Sequence, residues 1–148
     1  MTLQTTQTRP WRNRNPGDLR PLAEGQWSGQ VGIDHAEGGP FAIFGTAIMG
    51  WRALARNLLT YFEVHGLVTV EEICDRFAPP EDHNDTSTYT SIVAHIAAVS
   101  PTTTLELREA AQMDAVCRGI AVAEGGARLP WDASERAAGV KLALSGDS

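Results

Sequence analysis

Cysteine is scarce in this chain of 148 residues: there are only Cys74 and Cys117. Both fall at apolar-periodic positions, which reads as two buried free thiols rather than a disulfide or a catalytic pair. That usage suits folding in a reducing compartment. Long apolar runs are missing too. No stretch approaches the roughly 18 apolar residues of a membrane span, so no membrane partner is expected. The opening segment, Met1 to Pro10, is Thr/Gln-rich without the apolar centre of a signal peptide. It reads as a flexible tail, leaving residues 11–148 as a single domain. Basic residues are in deficit, 12 against 18 acidic ones, for a net charge of −6. That balance argues against nucleic acid as a partner, because phosphate binding wants a basic face.

Several motifs are also lacking. HExxH and CxxC spacings are missing, so His35, His65, His83 and His95 read as surface or core residues, and no metal is expected. Without GxSxG there is no serine nucleophile elbow. Without GxGxxG or GxxxxGK[ST] there is no nucleotide cradle, and no cofactor is expected.

Glycine and proline, by contrast, are concentrated. Residues 13–44 hold Asn13, Asn15, Pro16, Gly17, Gly29, Gly32, Gly39 and Pro40, together with Trp27, Phe41 and Phe44. Such density breaks a backbone into tight turns. Short strands are expected at Gln26 to Ile33 and Phe41 to Phe44, forming an antiparallel hairpin or a three-stranded sheet. Beyond residue 46 the pattern is helical. Thr46 opens a helix bearing Trp51, Leu54, Leu58, Tyr61 and Phe62, which Gly66 ends. A capping box at Thr69 to Glu72 starts a shorter one, stopped by Pro79-Pro80. Further helices are expected at about 87–99, 105–124 and 133–144. The fold class is therefore mainly α with a small antiparallel β element near the N-terminus, an α+β domain.

The chemistry left open is that of carboxylates. Glu124 follows the small and apolar run Gly119 to Ala123 and directly precedes Gly125-Gly126. The negative end of the helix dipole and the apolar neighbours both disfavour its charge. Both effects suit a general acid that keeps its proton near neutral pH. The plain alternative is an exposed glutamate at a fraying helix end. Glu24, Asp34 and Glu37 lie in the loop and hairpin, as groove residues or as solvated turn carboxylates. Arg12, Arg14 and Arg20 form a basic cluster, either a solvated N-terminus or a contact for an anionic substrate. Asn84, Asp85 and Thr86 read as the cap of the helix carrying Tyr89.

At these residues the chain resembles phage-borne, lysozyme-like muralytic proteins of the virion structural protein or lytic transglycosylase type. The matching pieces run in order over about residues 12–142. They are Arg12-Asn-Arg-Asn-Pro-Gly-Asp-Leu-Arg20, Trp27 to Gly32, Phe41 to Phe44, Gly50 to Leu54, Tyr61, Ala78-Pro-Pro80, Asn84-Asp-Thr86 with Tyr89, and Ala123-Glu-Gly-Gly126. Two departures stand out. Asp18 replaces the usual Asn of NPGN, and Ala123-Glu124-Gly125-Gly126 replaces His-Glu-Asn-Gly. In lysozyme-like enzymes a helix-ending Glu precedes an Asn-rich turn, whereas here the turn comes first. A circularly permuted lysozyme-like fold is therefore expected, with the end of the Glu124 helix facing the 13–44 hairpin across a cleft.

The resemblance implies cleavage of the β-1,4 bond of peptidoglycan glycan strands by a monomer, with Glu124 as the principal acid and base. A hydrolase would add a second carboxylate, for which Asp34 and Glu24 are the candidates. The two carboxyl groups would lie about 5–5.5 Å apart for retention and about 6.5–9.5 Å for inversion. Asn15, Asp18, Trp27, Asn84, Thr86 and Tyr89 are the expected substrate contacts. The same resemblance implies synthesis in a host cytoplasm and action on the wall after holin release or delivery by a phage particle, with particle components as partners. The alternative is a non-catalytic virion or wall-binding protein of the same shape.

Overall fold

Helix caps set most of the element boundaries. A computed structural model of the chain describes residues 8–82 and 84–146. Most of the expected tail and His83 lie outside the described residues. Arg9–Arg12 forms a short helix, α1, with Pro10 in its first turn, where a missing N–H costs nothing. Strand β1 (Gln30–Asp34) pairs antiparallel with β2 (Phe41–Phe44), and a bulge interrupts the register between Gln30 and Gly32. The Gly39–Pro40 peptide bond in their connection is cis.

The sheet therefore has two strands. β1 begins at Gln30 rather than Gln26, because residues 28 and 29 turn, with Gly29 at φ 82°. The place of a third strand is taken by residues 13–19. Phe44 N–H donates to the Asn13 carbonyl and Ala42 N–H to that of Leu19, both at 2.9 Å. The Asn-Pro-Gly-Asp turn is thereby fastened along β2.

Thr46 accepts a hydrogen bond from Met49 N–H and starts α2 (Ala47–Glu63). Its apolar stripe, Trp51, Leu54 and Leu58, is fully buried and forms the centre of the core. Thr69 caps α3 (Val70–Phe77), and Glu72 closes the box by accepting from Val68 N–H. A 3-10 turn at Pro80–Asp82 leads to α4 (Thr86–Ala97), capped by Asp85. Asp132 caps α6 (Ala133–Leu144) through the amides of Ser134 and Glu135.

The helix expected from residue 105 begins later, as α5 (Ala110–Gly125). Leu105 and Leu107 are buried in a non-helical segment tied to Val68 by a 2.7 Å backbone hydrogen bond. Alternate burial around exposed Glu106 is the period of extended chain. No helix among the described residues is long and apolar enough to cross a membrane. The observed class is α+β, mainly helical, with the hairpin near the N-terminus.

Candidate active site

Glu124 owes its position to a glycine. A Cβ on Gly119 would lie 2.9 Å from Val93 Cα and 3.0 Å from the Val93 carbonyl oxygen, so α5 and α4 meet backbone to backbone there. From that crossing, Glu124 is five residues along α5 and Tyr89 four residues back along α4. At about 1.5 Å per residue, antiparallel helices carry both side chains a similar distance, about 6 to 7.5 Å. They meet: the Tyr89 hydroxyl donates to Glu124 Oε2 at 2.7 Å. Gly126, at φ 94°, ends the helix beyond them.

Glu124 lines a groove of about 540 Å³. The facing wall comes from the glycine-dense stretch: Asp18, Arg20, Trp27, Gly38 and Phe41. Asn57 and Tyr61 of α2, Asp82 and Asn84 complete the lining. The end of α5 thus faces the 13–44 region across a cleft.

Electrostatically, burial is the largest influence on Glu124 and pushes its carboxyl up to about 7. The Tyr89 hydrogen bond works against it by favouring the carboxylate, as does the Arg9 charge, while Asp18 acts in the raising direction. Tyr89 is itself pushed well up, by burial first and then by Glu124. It therefore stays a proton donor to the carboxylate.

Asp18 is the second charge of the groove, and it is not alone. Arg9 Nη2 donates to Asp18 Oδ2 at 2.6 Å, and Arg9 Nε reaches both oxygens at 3.0 and 3.1 Å. The Asp18 side chain is only 6% exposed. Arg9 also lies 3.7 Å over the Phe41 ring. Asp18 adopts φ 49°, a left-handed conformation that Asn and Asp tolerate best. This explains why either residue serves the turn. The charge that Asp brings is met by Arg9, which at the sequence level belongs to the expected tail.

Of the expected site residues, Glu124, Asp18, Trp27 and Asn84 line the groove. The structure places the others outside that lining. Asn15 is fully buried. Its amide donates to the carbonyls of Leu19 and Ala42, and its oxygen accepts from Leu19 N–H, so its polar atoms are spent on holding the turn. Thr86 spends its hydroxyl on the Ala78 carbonyl at 2.7 Å. Tyr89 lies behind Glu124 rather than in the groove, and orients it. Asp34 pairs with Asn13 and Arg12 and is not part of the lining; its carboxyl is held low, chiefly by the Asn13 hydrogen bond. Glu24 is exposed beside the groove residues Leu22 and Ala23 but outside the lining.

Sequence reasoning missed Arg9, Phe41, Asn57, Tyr61 and Asp82 as groove residues. One signal was available for Arg9: a carboxylate in a turn tied into the core needs a cation within reach. Asn57 and Tyr61 stand one helical turn apart, a polar neighbour of an aromatic on an otherwise apolar face. The cysteines match the sequence reading, since both are buried free thiols, and burial pushes Cys74 up to about 12. No cluster of three or more metal-ligating side chains occurs among the described residues.

Among known proteins, the chain is 40% identical over 86 residues to Protein P5 of Pseudoalteromonas phage PM2. The match covers 57% of this chain and 52% of that protein. The chain thus spans about half the length of the curated relative it matches. The similarity supports a phage origin for the chain. No family model matches.

Proposed function

We propose that this protein cleaves the β-1,4 glycosidic bond of peptidoglycan glycan strands, with Glu124 as proton donor and acceptor. The observation that carries the reading is a half-buried carboxyl at the end of α5, facing a groove and raised to about 7. Such a group holds its proton at neutral pH and still gives it up readily. A helix-ending glutamate opposite a Gly-rich hairpin supports the lysozyme-like, circularly permuted arrangement.

In the first step Glu124 protonates the glycosidic oxygen as its bond to C1 breaks. In the second, the C6 hydroxyl of the same sugar bonds to C1, and its proton returns to the Glu124 carboxylate. The product is an anhydro sugar, and one carboxylate suffices. The Asp18 oxygens are engaged by Arg9, which favours this single-carboxylate route over attack by Asp18. In a hydrolase, Asp82 is the groove carboxylate left to hold water. Trp27 offers a ring to the sugar faces, fixed by donation of its indole N–H to the Arg20 carbonyl at 2.9 Å. We further propose that it acts on the wall after delivery by a particle or release by a holin; the similarity to a phage protein supports the phage origin that this route needs.

Mass spectrometry of digested peptidoglycan tests the proposal. Anhydro products support the single-carboxylate route, and reducing ends point to hydrolysis. Binding to sacculi without any cleavage product would reject the enzymatic reading and leave a wall-binding protein.

A further inference from the structure

A second cavity, also about 540 Å³, lies on the other side of α1 and shares no lining residue with the groove. Trp11, Arg12, Arg14, Thr46, Trp131 and Glu135 line it. The short helix α1 separates the two spaces: Arg9 turns to the groove, Trp11 and Arg12 to the second cavity.

Its tryptophans are unlike the other two. Trp51 is fully buried in the core and Trp27 belongs to the groove. Trp11 and Trp131 are both half-buried, with ring centroids 4.9 Å apart and planes tilted by 57°. Trp131 is braced from behind by the edge of Trp51, 5.5 Å away. Two braced indoles in a cavity wall form a platform for the C–H faces of a ring.

Arg14 supplies charge. Its backbone is locked at φ 50°, its N–H donates to the Trp11 carbonyl at 3.1 Å, and its carbonyl packs against Gly50. The guanidinium is exposed and forms no ion pair among the described residues. An exposed cation on a fixed backbone beside an aromatic wall, in a chain of net charge −6, fits an anionic group carried on a ring. Glu135 adds one acceptor for hydroxyl or amide N–H.

We propose that this cavity is a second saccharide site, binding an amino sugar that carries a carboxylate through its substituent. Trp11 and Trp131 take the ring face, and Arg14 takes the carboxylate. That this sugar belongs to the polymer cut in the groove rests on the function proposed above; the binding itself does not.

The test is titration of the full-length Glu124→Gln protein with a soluble disaccharide-peptide from peptidoglycan, by calorimetry and tryptophan fluorescence. Two sites are expected. Arg14→Ala should weaken one of them by about tenfold or more and leave the other unchanged. Trp27→Ala should affect only the groove site. A chitin disaccharide, which lacks the carboxylate, should bind the second site at least about tenfold more weakly. The proposal is overturned if no site is weakened by Arg14→Ala, or by equal binding of the chitin disaccharide; a single site that depends on Arg14 and not on Trp27 supports it. Cleavage products serve as the independent readout: a wild-type protein that makes none yet keeps an Arg14-dependent second site fails the proposed function but not this inference.

Discussion

The Tyr89 hydroxyl donates a 2.7 Å hydrogen bond to Glu124 Oε2, joining two helices that meet at Gly119. The bond favours the charged carboxylate, whereas burial favours the neutral acid, and burial prevails. Opposed influences of this kind make the Glu124 proton tunable in both directions.

Tyr89→Phe removes the larger of the two influences that lower the Glu124 pKa. The carboxyl should then titrate above about 7, and the alkaline limb of the pH–rate profile should move to higher pH. The rate below the limb should fall by about tenfold, from lost orientation. A pH series on solubilised peptidoglycan measures both effects.

Asp18→Asn should move the same limb the other way. The substitution removes a negative charge that raises Glu124 and leaves Arg9, which lowers it, without its carboxylate. Asn tolerates the left-handed φ of 49°, so the turn should survive. Opposite shifts for Tyr89→Phe and Asp18→Asn are a joint signature that simple destabilisation does not produce.

Glu124→Gln should stabilise the fold at alkaline pH. The folded carboxyl titrates at about 7, above its ordinary 4.5. Its stability contribution is thus fully present below about 4.5 and is lost as pH rises through 7. Removing the charge should recover about 2–3 kcal/mol at pH 8 and little at pH 4. Denaturant unfolding at the two pH values checks the sign.

Gly119→Ala should cost about 1–3 kcal/mol, because the new methyl meets Val93 backbone that cannot step aside. It should also reduce activity by parting Tyr89 from Glu124. Asn15→Ala should cost at least as much, since Leu19 N–H and two carbonyls lose buried partners. Thermal unfolding ranks both variants against the parent.

Much of the fold was legible because caps and periodicity are local. Thr46, Thr69 and Asp85 mark helix starts that the structure retains. The start of α5 was not legible, because Leu105 and Leu107 suit a helical stripe and a buried extended segment equally well. In the candidate site, Glu124 stood out through its apolar neighbours and helix-ending position. Arg9 and the true tasks of Asn15 and Thr86 did not, since each depends on a partner distant in sequence or on a backbone carbonyl. Asn15 shows the limit well: an amide that grips Ala42, 27 residues away, looks in the sequence like one free to grip a sugar.

The most direct test of the central claim is the rate at which wild-type and Glu124→Gln proteins release glycan products from purified sacculi at neutral pH. Glutamine keeps the shape and cannot supply the proton. The account predicts a loss of about 1000-fold or more in the variant. A variant that retains activity within about threefold of the parent, folded by circular dichroism, would contradict the assignment of Glu124 as the acid.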